Sequence, residues 1–287
     1  MPRVVSVRRP RTKPKLGQHF LTSEDSAARI VDALGDVSKG TVLEIGPGRG
    51  ILTALLARSA RRLIAVELDR VLAAQLRLKC GMARNVEIIE ADILAIDLDS
   101  LFGLKPGLGR PGIEIKPEPV KVVGNLPYYI TSDILLRLFE FSKYFESIVI
   151  MVQREVADRI TAQPGGSDYG LLSATAQLYA RVENLFTLPP GAFSPPPRVY
   201  SSVIRLTISP RQEELGVAGD GFMDFLRLSF MQKRKTLWNN LKERYDQAVL
   251  KRALTEAKVS PTARAETLSL ERSAAVYRGL QGLAGGA

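Results

Sequence analysis

Val42-Leu43-Glu44-Ile45-Gly46-Pro47-Gly48-Arg49-Gly50 is an apolar run closed by three glycines at alternate positions, and Leu52 to Ala60 behind it carries apolar residues at helical spacing. A strand that ends in a glycine turn and runs into a helix lets the main chain come close to a nucleotide-like ligand. The dinucleotide fingerprint, G-x-G-x-x-G, seats a pyrophosphate on the helix N-terminus. Here the third glycine arrives one residue early, and Pro47 and Arg49 stand between the glycines. That spacing argues against NAD.

Outward from this turn the same alternation repeats. Asp25 to Leu34 reads as helix, Leu63 to Glu67 as strand, Val71 to Leu78 as helix, Val86 to Ile89 and Val120 to Val123 as strands, Ile134 to Phe141 as helix and Ile148 to Val152 as strand. Short Val/Ile/Leu strands between helices imply an α/β fold, Rossmann-like, with a mostly parallel sheet covered by helices on both faces. The stretch Gly103 to Pro119, dense in glycine and proline, reads as an inserted surface loop. From Leu185 the chain enters a rigid proline-rich loop and then the alternating strand Ser202 to Ile208. Phe222 to Phe230, Thr236 to Arg244, Ala248 to Ala257 and Leu268 to Leu280 read as helices. The expected division is a basic arm over 1–15, a ligand-binding domain over 16–209 and a small α-helical domain over 210–287.

The 287 residues are 45% apolar and 24% charged, enough to bury a core without disulfides. Forty Lys and Arg against 30 Asp and Glu leave a charge of +10, which favours a polyanionic partner or an anionic surface. Arg3, Arg8, Arg9, Arg11, Lys13 and Lys15 stand in the first fifteen residues with no acid and no apolar segment of signal-peptide type behind them. A nucleic-acid arm, a solvated tail and a transit peptide share that charge pattern. One cysteine, Cys80, and one histidine, His19, cannot make an internal disulfide or a thiolate–imidazole metal site, and no metal is expected. No apolar run approaches the ~20 residues of a membrane span. A reducing cytoplasm fits.

A G-x-G-x-G turn behind an acid suits the amino-acid end of S-adenosylmethionine, which brings no phosphate. Glu67, 21 residues after Gly46 at the end of the next strand, can accept from both hydroxyls of a ribose. Asp92, in Glu90-Ala91-Asp92-Ile93 after the third strand, can accept from an adenine amino group. Either acid alone reads more readily as a helix cap; together, after successive strands, they describe a ligand crevice. Gly124-Asn125-Leu126-Pro127-Tyr128 then ends a buried strand in polar and aromatic residues. An adenine N6 lone pair is delocalised into the ring, so methylating it requires acceptors that hold the amine for in-line attack. Asn125 and a main-chain carbonyl can supply them, and Tyr128 with Phe193 can stack an extruded base.

Leu16-Gly17-Gln18-His19-Phe20-Leu21, Glu44-Ile45-Gly46-Pro47-Gly48, Asn125-Leu126-Pro127-Tyr128 and Phe193-Ser194-Pro195-Pro196-Pro197-Arg198-Val199 occur in this order. Together they resemble the rRNA adenine N6-dimethyltransferases of the KsgA family, from about Lys15 to Leu280. The resemblance implies a class I methyltransferase fold. It also implies dimethylation of two adjacent adenosines in the 3′-terminal hairpin loop of small-subunit rRNA, with S-adenosylmethionine as donor and S-adenosylhomocysteine as product. Carried to matching positions, it implies cofactor contacts from Gln18, His19, Leu21, Gly46, Gly48, Glu67, Asp92 and Asn125. The base pocket would be Asn125, Leu126, Pro127, Tyr128 and Phe193. His19 would position the cofactor and not move a proton, although a hydrogen-bonded surface histidine would look the same. Tyr129 and the 103–119 insertion depart from the family pattern.

Lys233, Arg234, Lys235, Lys242, Arg244, Lys251 and Arg252 form a basic run that reads either as a solvated face or as a surface tracking an RNA backbone. Trp238 and Leu241 read as core of the helical domain. The expected partner is small-subunit rRNA in a pre-ribosomal particle, met by a monomer without membrane attachment. The rival functions are an assembly checkpoint with secondary methylation and a large-subunit rRNA adenine methyltransferase of the resistance type.

Overall fold

A computed structural model describes residues 19–102, 118–127, 130–217 and 221–284. The N-terminal arm, Gln18, Tyr128, Tyr129 and most of the glycine- and proline-rich insertion lie outside the described residues. In chain order the elements are β1 (Phe20–Leu21), α1 (Glu24–Asp32), β2 (Thr41–Ile45), α2 (Ile51–Ser59), β3 (Arg62–Glu67), α3 (Arg70–Cys80) and β4 (Val86–Glu90). There follow α4 (Leu98–Phe102), β5 (Val120–Asn125), α5 (Thr131–Glu140), β6 (Phe145–Gln153), α6 (Arg154–Thr161), α7 (Leu171–Tyr179) and β7 (Ala180–Leu188). Then come β8 (Phe193–Ser194), β9 (Ser201–Ile208), α8 (Gly221–Ser229), α9 (Leu237–Leu241), α10 (Gln247–Glu256) and α11 (Leu270–Ala284).

The main sheet has the order β4-β3-β2-β5-β6-β9-β7. Strands β2 to β6 pair in parallel, and β9 runs antiparallel to both β6 and β7. Alternation along the strands sends their side chains to two cores. Leu43, Ile64, Val122 and Ile148 pack on one face with Ile134, Leu135 and Leu138 of α5. Val42, Leu63, Val123 and Val149 pack on the other with Ala27 and Ile30 of α1 and Leu52 and Leu56 of α2. This is the mostly parallel α/β sheet that the sequence pattern predicts, with both faces covered.

A third core lies among the C-terminal helices and gathers Phe222, Phe225, Leu226, Leu241, Leu250, Leu254, Val276 and Leu280. It reaches back across residue 210 to Tyr169, Ala174 and Leu178, so α7 contributes to both ends of the molecule. Leu241 is fully buried and Trp238 packs at the margin of this core, as their spacing predicts. The helix expected over Thr236 to Arg244 is shorter, because the Thr236 hydroxyl caps α9 at Asn239 N (3.2 Å) and a turn follows Leu241.

Several elements have no counterpart in the sequence pattern: the helices α4, α6 and α7, the strand β7, whose last residues Leu185 to Leu188 fall where the pattern predicts the proline-rich loop, and the short strands β1 and β8. Strand β7 is an edge strand with a register shift between Asn184 and Phe186, and the extra residue breaks the period-2 pattern that would have marked it. Strands β1 and β8 are two residues each and pair antiparallel, Phe20 with Ser194 and Leu21 with Phe193; pieces this short carry no periodicity.

At the seam between β2 and β5 the main chains approach closely around Gly124. A Cβ on Gly124 would lie 2.6 Å from Ile45 O, a main-chain atom that cannot swing aside. Gly124→Ala is therefore expected to cost about 1–3 kcal/mol as the strands are pushed apart. Gly40→Ala, with nothing within 4 Å of the added carbon, should stay within ~0.5 kcal/mol. Urea unfolding of both variants checks the contrast, and equal stabilities would mean that the seam can open freely.

Candidate active site

The carboxyl ends of β2, β3, β4 and β5 lie along one sheet edge. Ile45 pairs with both Val66 and Gly124, Glu67 with Glu90, and Asn125 with Met151. Strand order reverses at β2, since β3 and β4 lie on one side of it and β5 and β6 on the other. Such a switch point leaves a crevice beyond the strand ends where neither flanking loop covers the other. The glycine turn and the Asn-Leu-Pro turn flank this crevice, and a Cβ on Gly46 would stand 3.8 Å from Asn125 O.

The turn itself is built on positive φ angles, +64° at Gly46 and +57° at Gly48, and Gly46 N donates to Val66 O at 2.9 Å. Glu67 braces it from the next strand. Its Oε2 accepts from Gly48 N and its Oε1 from Asp69 N, each at 2.9 Å, with the residue only 5% exposed. Each carboxylate oxygen has a second lone pair, so the brace retains capacity to accept hydroxyls from the crevice side. Asp92 is exposed two residues beyond β4, where its Oδ1 accepts from Leu94 N at 2.9 Å. Arg137 of α5 holds this loop by donating to Ile93 O (3.2 Å) and Ile96 O (2.5 Å). Nothing in the sequence marks Arg137, which acts across more than forty residues.

Asn125 is oriented by a relay of main-chain groups. Its Nδ2 donates to His19 O at 2.9 Å, and His19 Nδ1 lies 2.7 Å from Pro195 O. Pairing of β1 with β8 brings these distant segments together. With Nδ2 engaged, Oδ1 is the free end of the amide and makes no hydrogen bond among the described residues. Leu126 is buried and donates its N–H to Met151 O at 3.2 Å, while Pro127 O accepts from Ile130 N (3.2 Å) and the Thr131 hydroxyl (3.1 Å). The turn is thereby locked to the start of α5. Leu21 and Phe193 are buried together, 5% and 3% exposed, in the core that contains Leu188 and Ala192. Phe193, expected from the sequence to stack an extruded base, is thus packed in the core and offers no open face to the crevice. The positions expected for Gln18 and Tyr128 are outside the described residues. A separate cleft of about 460 Å³, lined by Gln163, Arg181 and Arg211, opens at the opposite end of the sheet. Its Arg211 is already paired with Glu214 and Glu271, each at 2.8 Å.

Glu44 is the unusual group of the site. It is 1% exposed two residues before Gly46, and neither carboxylate oxygen reaches a hydrogen-bond partner among the described residues. Burial pushes its pKa up to about 7; the nearby Thr53 hydroxyl opposes the rise and Glu67 adds to it. Because the folded value lies above the usual 4.5, the stability from this group is complete below pH 4.5 and is lost as pH rises toward about 7. Relative to Glu44→Gln, the ligand-free wild type should lose about 3 kcal/mol across that window. Denaturant titrations at pH 5 and pH 8 read this directly, and a difference that does not change with pH would mean that a counter-charge reaches the carboxylate.

Residues 9–281 match the family model described as ribosomal RNA adenine dimethylase. The ribosomal RNA small subunit methyltransferase A of Koribacter versatilis is 56% identical over 273 residues, which cover 95% of this chain and 96% of that protein. Among solved structures, a dimethyladenosine transferase from Plasmodium falciparum superposes with a TM-score of 0.71 at 24% identity, over 92% of this chain and 98% of that one. The 23S rRNA methyltransferase ErmE superposes with a TM-score of 0.63 at 25% identity, over 91% of this chain and 99% of that one. The strand-end crevice, the braced glycine turn and the Asn-Leu-Pro turn thus sit in a chain that belongs to the ribosomal RNA adenine dimethylase family.

Proposed function

We propose that the chain methylates N6 of two adjacent adenosines in the 3′-terminal hairpin loop of small-subunit rRNA, twice each, with S-adenosylmethionine as donor. The observation that carries this is Asn125, at the end of a strand lining the crevice, whose amide is clamped through Nδ2 while Oδ1 makes no hydrogen bond among the described residues. The residues present fit the donor. The orphaned Glu44 carboxylate behind the turn suits an amino-acid ammonium, the open lone pairs of Glu67 suit a ribose, and Asp92 Oδ2 suits an adenine amine. His19, Leu21, Gly46 and Gly48 shape the wall between them, with Gln18 just ahead of His19 in the chain. When bound, S-adenosylmethionine supplies an electrophilic methyl group.

The chain's own part is positioning. Asn125 Oδ1 and a main-chain carbonyl of the same turn accept from the adenine amine and stabilise the positive charge that develops on N6 as it attacks. Leu126 and Pro127 fix that turn, Tyr128 stacks the extruded base, and Phe193 backs the pocket wall. No general base is required until the product ammonium sheds its proton. The relative named for the small subunit shares 56% of its residues with this chain, which favours the small-subunit substrate over the large-subunit alternative. We assign residues 16–209 to catalysis and 210–287 to RNA contact, in a monomer that acts in the cytoplasm on a pre-ribosomal particle.

Radiolabelled methyl transfer to unmethylated small subunits, followed by nucleoside analysis, tests the reaction. N6,N6-dimethyladenosine should appear, and Asn125→Ala should lower kcat by about 10²–10³-fold; unlabelled subunits would refute the assignment. Exposed Lys233, Arg234 and Lys235 precede α9, and changing all three to Gln should weaken RNA binding while reducing its salt slope by about 2–3. Glu67→Ala, which removes the brace of the turn, should instead raise the cofactor Kd and leave particle binding intact. Joint loss of both affinities would argue against a separable assembly role.

A further inference from the structure

Beyond the catalytic turn, the rim of the crevice carries an exposed aromatic that no step so far employs. Tyr200 is 52% exposed and its neighbour Val199 is 44% exposed. Among the described residues the Tyr200 side chain makes no hydrogen bond and stacks on no other ring. Single apolar residues on a surface are ordinary, so its setting has to decide whether it has a use.

Three observations define that setting. The first is position. Asn125 pairs with Met151 and Met151 with Val203, while Gln153 pairs with Ser201, so β9 begins two residues beyond the line through Asn125. Strand spacing and rise then put the Tyr200 backbone roughly 14 Å from that of Asn125, on the same sheet edge. The second is rigidity. Pro195, Pro196 and Pro197 fix three successive φ angles ahead of it, Pro197 is buried, and Tyr200 O accepts from Arg154 N at 3.0 Å. A ring carried on such a segment loses little freedom when something stacks on it. The third is charge. Arg198 is exposed and forms no ion pair among the described residues, and Arg154 has only a loose contact of 3.9 Å with Asp158.

An exposed aromatic ring two residues from Arg198, which is free of ion pairs among the described residues, matches single-stranded nucleic acid, in which each base offers a face to stack and each phosphate a charge. We propose that Tyr200, with Val199 at its edge, is a stacking platform for the nucleotide next to the target adenosine, and that Arg198 neutralises the phosphate between them. The inference rests on the RNA-methylating reading above and adds a determinant of substrate grip outside the catalytic pocket. Extruding a base breaks its stacking with its neighbours, and a platform for the neighbour would compensate part of that loss while holding the loop open. Because the ring contacts the flanking nucleotide and not the reacting amine, it should govern KM for RNA and leave kcat nearly unchanged.

Full-length wild type, Tyr200→Ala, Tyr200→Phe and Arg198→Gln would be compared in methyl transfer to unmethylated small subunits. A protein-free hairpin transcript with 2-aminopurine beside the target adenosine would report stacking by fluorescence quenching. Tyr200→Ala should raise KM for RNA about 5- to 100-fold, keep kcat within about 2-fold, and abolish the quench. Tyr200→Phe, which preserves the ring, should restore all three. Arg198→Gln should lower the salt slope of KM by about 1. Cofactor Kd and thermal unfolding should be the same in all four proteins. The platform is refuted if Tyr200→Ala behaves as wild type, or if Tyr200→Phe is as impaired as Tyr200→Ala. An effect on intact subunits without a change in quench on the naked hairpin would indicate a ribosomal-protein contact and refute it too. Should wild type itself transfer no methyl group to RNA, the proposed reaction falls and this inference with it; an active wild type with an unaffected Tyr200→Ala removes the platform alone.

Discussion

Gly124 has no side chain, and β5 can therefore lie against the Ile45 carbonyl of β2 at the point where the strand order reverses. A methyl group there would meet a main-chain oxygen at 2.6 Å. Everything at the crevice depends on that contact. It sets Gly46 beside Asn125 and so places the ligand turn and the Asn-Leu-Pro turn on opposite lips of one opening. On one side of this seam lie β3, which carries Glu67, and β4, which leads to Asp92; on the other lie β6 and β9, the latter preceded by the rim segment.

The site is organised by donors and acceptors more than by large shifts in charge. Glu67 spends one lone pair on each of two main-chain N–H groups and keeps the others. Asn125 commits one N–H of its amide to His19 O and keeps its acceptor. In both cases the scaffold consumes one half of a polar group and thereby orients the other, which is how a site is held ready without reorganising at the moment of reaction. Glu44 is the exception, an orphaned carboxylate in the core whose ionisation is suppressed by burial. A native chain tolerates such a group where a ligand completes its environment, since burying it unpaired costs stability.

The C-terminal helices are joined to this machinery through packing. Their core includes Tyr169, Ala174 and Leu178 from the α7 region, and Arg227 of α8 lies 3.6 Å from Glu140 of α5. Helix α5 also holds the Asp92 loop through Arg137 and receives the Asn-Leu-Pro turn at its N-terminus. One helix thus touches the Asp92 loop, the Asn-Leu-Pro turn and α8 of the C-terminal helices. Exposed Lys233, Arg234 and Lys235 follow α8 in this helical region.

Local pattern was enough to reveal the parallel α/β sheet, the glycine turn, the acids after successive strands and the polar end of β5, because each is written within a few residues by period, turn chemistry or an out-of-place polar side chain. The helical C-terminal region and the burial of Leu241 were legible for the same reason. What the sequence did not show are relations between residues far apart in the chain. The bulged edge strand β7 lacks a clean period, and Phe20 meets Ser194 only because two fragments too short to predict are brought together. Arg137 reaches Ile93 O, Asn125 reaches His19 O, and Tyr200 arrives at the sheet edge that carries Asn125 solely through the order and register of the strands. Strand order is decided by which faces can be buried together across the whole molecule. That competition among long-range packings leaves no mark on any short stretch of sequence, so composition and motif named the chemistry and the tertiary structure decided which atoms are free to perform it.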